Sequence, residues 1–186
     1  MQMNMTSNLT HPPLHKELLK VHDQLARRNN LSTDLIAASA LVEKDFGSAC
    51  VAAIATLGGL HAPLEQTMHL LLVEDSVQIA DNIISSGLRV PGWGSSFAKD
   101  HSDPLFDTLD SKLSRIDDEL YCKIASITNL LFNKTKKRLF PNAACYTAAC
   151  CIINNINTRV VLKTLIQGRI EAWSEIYLDN YNPRLP

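Results

Sequence analysis

Glycine and aromatic side chains are both scarce: the chain of 186 residues holds seven glycines, and Phe, Tyr and Trp together make up 6% of it. A turn-rich sheet protein needs more of both, so a chain in which Leu, Ala and Ile far outnumber the aromatics favours helices. A charge excess is missing as well. Lys and Arg number 18 against 19 Asp and Glu, a net charge of −1. Apart from Lys134, Lys136, Lys137 and Arg138 the basic residues are scattered, so no face suits a long polyanion and nucleic acid is not an expected partner. Apolar runs such as Ala143 to Ile153 fall far short of the ~20 residues a membrane span requires, and the polar N-terminus has no signal-peptide core. No membrane association and a cytoplasmic location are expected. Disulfide and metal spacings are absent too: the five cysteines (Cys50, Cys122, Cys145, Cys150, Cys151) are odd in number. None is spaced as CxxC, and each sits in an apolar, helix-like stretch, which reads as buried thiols.

What is present is 46% hydrophobic and 20% charged, enough to bury one sizeable core, and the expectation is a single all-α domain over 1–186. The first 13 residues read as flexible. Leu14, Leu18, Leu19 and Leu25 then recur at helical spacing to about Asn29-Asn30. Ser32-Thr33-Asp34 offers caps for a second helix to Leu41, and Asp45 precedes a nearly uncharged run, Phe46 to Leu57, that predicts a buried helix. Gly58-Gly59 breaks it, Pro63 opens a fourth helix, and a fifth spans about Ser76 to Ser86. From Leu88 to Asp103 the pattern is lost to a loop containing Pro91, Gly92 and Gly94. Asp103-Pro104 looks like the start of another helix. Further helices follow over Asp117 to Phe132, after Pro141-Asn142, over Thr158 to Leu165 and over Ile170 to Leu178.

Three collinear segments carry a family resemblance. The first is Asn30-Leu31-Ser32-Thr33 through Ala52-Ala53-Ile54-Ala55-Thr56-Leu57-Gly58-Gly59-Leu60-His61. The second is Val90-Pro91-Gly92-Trp93-Gly94-Ser95 through Lys99-Asp100-His101-Ser102-Asp103-Pro104. The third runs from Leu139-Phe140-Pro141-Asn142-Ala143-Ala144-Cys145-Tyr146-Thr147 to Gly168-Arg169-Ile170-Glu171-Ala172-Trp173 and Tyr177-Leu178-Asp179-Asn180. Over about residues 29–184 these are similar to the signature blocks of the citrate synthase family, which includes methylcitrate synthases and citryl-CoA lyases. The match is to the C-terminal half of such proteins. It implies a multi-helix citrate-synthase-like fold in a compact, truncated form.

The resemblance also implies a chemistry in which an aspartate takes a proton from an acyl-CoA methyl group while histidines stabilise the enol and polarise a ketone. His61 matches the enol-stabilising histidine and Arg169 a carboxylate-binding arginine. Other positions depart from the pattern. Ser95 stands where the loop histidine belongs, Ala144 where the catalytic aspartate belongs and Leu105 where an arginine belongs. Arg27 or its neighbours replace a ligand histidine, and the terminal block reads Asn182-Pro183-Arg184. With Ala144 unable to accept a proton and one arginine in place of a cluster, ordinary citrate synthesis is not expected.

The candidate catalytic residues are therefore His61 and Ser95, the substrate-binding ones Arg169 and Trp93, and those placed near a coenzyme A thioester Lys137, Arg138 and Asn142; no metal site is expected. Each has a plainer reading. His61 suits a helix-end histidine, Arg169 an ion pair with Glu171, Glu175 or another buried acid, Lys137 and Arg138 a solvated helix end, and Cys145 a small core residue rather than a new nucleophile. The expected function is that of a divergent enzyme acting on a CoA- or carrier-bound acyl thioester by a reaction other than citrate synthesis. The alternative is an inactive relative serving as a binding partner or metabolite sensor. A homodimer paired through helices is expected in either case.

Overall fold

Caps and small residues decide where the helices of this chain begin and how closely they approach. The computed structural model describes residues 12–28, 30–57, 63–95, 118–156 and 158–181. Residues 1–11, the helix expected at Asp103-Pro104, and His61 and Asn182–Arg184 lie outside the described residues, whereas Pro12 and Pro13, expected to be flexible, already open the first helix. Among those described there are eight helices and no strand, only an isolated antiparallel bridge between Trp93 and Pro141. The helices are α1 Pro12–Ala26, α2 Leu31–Leu41, α3 Phe46–Ala55, α4 Leu64–Leu72, α5 Ser76–Ser85, α6 Asp118–Thr135, α7 Ala143–Ile153 and α8 Thr158–Asn180. No described helix is long and apolar enough to cross a membrane. The residues fall into two compact units, one built from α4 to α7 and the other from α1 to α3 with α8.

In the second unit, Asn30 rather than Ser32 caps α2, because its side chain reaches back over the turn and accepts from the Thr33 N–H at 3.2 Å. Thr33 Oγ1 in turn donates to the Ala26 carbonyl at 2.6 Å, satisfying one of the open acceptors at the end of α1. Asp45 caps α3 as its sequence predicts, accepting from Ser48 N at 2.9 Å. The expected burial of α3 is corrected. Only Ala49 and Ala53 are fully buried, and Val51 is 68% exposed. Lack of charge along Phe46 to Leu57 does not require burial, since alanine is indifferent to it, and one small-residue face suffices to let α3 close on α2.

That closeness serves Trp173. The core of the unit is Ala26, Ile36, Ala40, Ala49, Ala53, Ala172, Trp173 and Tyr177, so five of its eight side chains are alanines around one fully buried indole. Removing some 200 Å² of aromatic surface from water contributes roughly 5 kcal/mol at about 25 cal/mol/Å². Tyr177, one turn further along α8, packs edge-on against Phe46 with ring centroids 5.3 Å apart, stacks on Tyr181 and donates its hydroxyl to the Lys44 carbonyl.

The two helices expected over 158–178 are one continuous helix of 23 residues. Gly168 in its middle reads as a break but is a contact. A Cβ built there would lie 2.7 Å from the Leu19 carbonyl oxygen and 3.0 Å from His22 Cβ, so the glycine is what lets α1 lie directly on α8.

In the first unit, α4 packs on α7 and α5, and α5 on α6. Pro63 lies just before α4 rather than inside its first turn, and its carbonyl accepts from both Thr67 N and Thr67 Oγ1. Lys134 of α6 pairs with Asp81 of α5 at 2.9 Å, and α6 ends on Lys136 in the left-handed conformation at φ 56°. From Cys145 to Cys151 every residue of α7 is buried, the uncharged sequence here meaning what it failed to mean in α3.

Candidate functional site

The loop Leu88–Ser95 is held by its backbone. Gly92 and Gly94 adopt φ of 90° and 82°, open to glycine at little cost. At Gly92 a Cβ would meet Thr67 Cγ2 at 2.5 Å and Cys145 Cβ at 3.2 Å, so the loop is pressed between α4 and α7. Asn142 then fastens it. Its N–H donates to the Gly92 carbonyl at 2.9 Å and its side-chain amide to the Gly94 carbonyl at 2.8 Å. Its Oδ1 caps α7 by accepting from Ala144 N at 2.9 Å and Cys145 N at 3.4 Å. The Gly94 N–H completes the clasp on the Phe140 carbonyl at 2.8 Å. Trp93 is buried, and its Nε1 donates to Thr128 Oγ1 on α6 at 2.9 Å.

The structure therefore brings Trp93 and Asn142 into one clasp, with partly buried Ser95 the next residue along the loop. Lys137 and Arg138 are exposed on the segment just before it. Ala144, on the first turn of α7, is partly buried and carries no titratable group. Its neighbour Cys145 is fully buried, and burial pushes its thiol far above the usual range, as it does for Cys151. Neither forms a thiolate near neutral pH, so neither serves as a nucleophile in this state. Among the described residues no cluster of three His, Cys, Asp or Glu side chains is arranged to hold a metal ion.

Arg169 belongs to the other unit and has different neighbours. It is 4% exposed on the inner face of α8, one turn before Trp173. Its Nη1 donates to Ser32 Oγ at 3.2 Å, and Ser32 Oγ donates onward to Asn30 Oδ1 at 2.5 Å. Its Nε is buried without a partner. The anticipated ion pairs with Glu171 and Glu175 do not form: Glu171 is exposed, and Glu175 accepts from Arg27 at 2.5 Å. Burial draws the guanidinium down to about 10, which leaves it a cation at neutral pH. Arg27, standing where a ligand histidine is expected, faces solvent and is occupied by Glu175 and by Asp23 at 3.0 Å.

Beside Arg169 lies a residue that sequence reasoning passed over. His22 on α1 is 3% exposed, and neither ring nitrogen has a hydrogen-bond partner. Burial, and then the charge of Arg169, lower it to about 3, so it is neutral across the physiological range. The signal was present in the spacing, since position 22 continues the apolar stripe of Leu18 and Leu25.

This architecture is the citrate synthase fold. It superposes on the citryl-CoA lyase of Hydrogenobacter thermophilus with TM-score 0.66 and 17% identity, covering 92% of this chain and 72% of that one. Against citrate synthase from Thermotoga maritima the values are 0.71 and 18%, over 91% of this chain and 51% of the other. ATP citrate lyase from Methanothrix soehngenii, solved in complex with citrate and coenzyme A, gives 0.72 and 14%, over 90% of this chain and 31% of that one. The chain thus spans about half the length of the citrate synthase and a third of the ATP citrate lyase. No protein-family model matches the sequence, and no curated protein is similar to it at the level of sequence.

Proposed function

We propose that this chain recognises a carboxylic acid through Arg169 and acts on its acyl thioester, carried by coenzyme A or by a carrier protein, in a reaction other than citrate synthesis. The observation that carries the reading is Arg169 itself: a buried cation with no acidic partner among the described residues, whose Nε–H finds no acceptor. Holding such a charge out of water is costly, and an anionic ligand is the partner that offsets the cost. The fold supports the thioester half of the reading, because the similar ATP citrate lyase was solved with citrate and coenzyme A. Lys137 and Arg138, exposed beside the Asn142 clasp, are the residues assigned to the coenzyme phosphates, and His61 and Ser95 those assigned to the chemistry.

Ala144 and the protonated Cys145 favour a second reading, in which the protein binds the acid or thioester without turning it over. Both readings include a single functional domain, a cytoplasmic location and a pair of chains joined through helices. Exposed Leu41, Val42 and Val51 on the unit of α1 to α3 support that pairing.

Calorimetric titration with citrate, free coenzyme A and acetyl-CoA tests the proposal. Wild-type protein is expected to bind at least citrate, and Arg169→Leu to weaken it ~10- to 100-fold, the loss of a charged hydrogen bond worth about 1.5–3 kcal/mol. Heat from none of the three ligands sinks the proposal. Binding of thioesters followed by release of free thiol separates the enzyme from the binding protein.

A further inference from the structure

The indole of Trp93 is 7% exposed, and its one polar atom is matched inside the protein. Nε1 donates to Thr128 Oγ1 at 2.9 Å, and Thr128 Oγ1 donates in turn to the Ile124 carbonyl one turn back along α6 at 2.8 Å. A threonine hydroxyl has a single proton. With that proton committed to Ile124, the oxygen faces the indole as an acceptor, and two linked hydrogen bonds in a partly buried place strengthen one another. The Trp93 N–H is therefore occupied by α6.

The path of the chain shows what this bond holds. Beyond Thr128, α6 runs two further turns, roughly 10 Å, to Thr135, whose hydroxyl accepts from Lys137 N at 3.1 Å. Lys136, in the left-handed conformation, turns the chain, and Lys137 and Arg138 stand exposed on the turn. The chain then comes back to the same tryptophan. Pro141 forms the backbone bridge with Trp93, and the Phe140 carbonyl accepts from Gly94 N at 2.8 Å. The segment from Thr128 to Pro141 thus has both its feet on one residue, Thr128 on the side chain of Trp93 and Pro141 on its backbone. Ser95 lies two residues further along the loop. Releasing the Thr128 foot leaves the basic turn held to the loop from one end only, and a ligand that reaches from the turn to Ser95 must then order the gap itself on binding.

We infer that Thr128, in none of the segments that carry the family resemblance, is a positioning residue: through Trp93 it fixes Lys137 and Arg138 relative to Ser95 and so raises the affinity for coenzyme A without touching it. The inference rests on the thioester reading above and adds a residue which that reading does not contain. Valine at position 128 keeps the branched shape and removes the acceptor, whereas serine keeps the acceptor.

Calorimetric titration of the full chain with coenzyme A is the test. Thr128→Val is expected to weaken binding about three- to tenfold, and Thr128→Ser to restore it. Trp93→Phe, which deletes the indole N–H, should match Thr128→Val, and the double variant should bind no more weakly than either single one. Coupling between a bond and a ligand is reciprocal, so bound coenzyme A should slow hydrogen exchange of the wild-type Trp93 indole N–H by the same factor, which a purely structural bond would not show. The indole signal is assigned by its loss in Trp93→Phe. Wild-type affinity in Thr128→Val, or indole exchange that coenzyme A leaves unchanged, overturns this inference and leaves the thioester reading standing. Wild-type protein that does not bind coenzyme A overturns both. Should Thr128→Val fold poorly, the wild-type indole exchange decides alone.

Discussion

Gly168 and Gly87 are glycines with opposite reasons for being glycine, and substitution separates them. At Gly168 the backbone is helical and the obstacle is the Leu19 carbonyl, 2.7 Å from a would-be Cβ. Gly168→Ala gains up to about 1 kcal/mol of helix propensity but overpacks the α1–α8 contact. A net loss of ~1–2 kcal/mol in urea unfolding is expected. At Gly87 nothing lies within 4 Å of a Cβ and the cost is conformational, φ being 72°. Gly87→Ala should lose ~1 kcal/mol without disturbing any contact. The sequence shows only that both positions are glycine, because a close approach involves residues some 150 positions apart. His22 belongs to the same category. Its place on the apolar stripe of α1 is legible, but its neighbour Arg169 comes from the far end of the chain.

At the scale of elements, side-chain caps set the starts of α2, α3 and α7, and Asn142 does more than its share. It caps α7 and binds two carbonyls of the Leu88–Ser95 loop, so Asn142→Ala removes a helix cap and a loop fastening together. A loss of ~1–2 kcal/mol is expected from the cap. Amide exchange at Gly94 should quicken more than at Leu131, since only the loop loses its anchor. Constant Gly94 exchange would show that Trp93 and the Gly92 backbone hold the loop unaided. Pro141-Asn142 was readable as a helix start from sequence. Its second role was not, because the carbonyls it grips lie some 50 residues earlier. The merged helix α8 teaches the converse: a glycine punctuates a helix only when no neighbouring backbone needs its missing side chain.

For the whole molecule, buried His22 links stability to pH. It ionises at about 3 in the folded protein and near 6.5 in an unfolded chain. Between those values the unfolded chain binds the proton and the folded one does not, so stability rises with pH across the window and levels off above about 6.5. The slope contributed approaches 1.4 kcal/mol per pH unit. Chemical denaturation from pH 4 to 8 should show it, and His22→Phe should flatten the curve. A curve of equal slope in the variant assigns the acid sensitivity to other groups. The all-helical character, the apolar helix positions and the outline of the citrate synthase fold were set by the sequence, because scarce glycine, 3.6-residue periodicity and capping residues are local properties read over one or two turns. Which uncharged helix is buried, which glycine is a contact, and which histidine lies beside Arg169 were decided only by the tertiary structure. Each of these depends on what another helix places within a few ångströms.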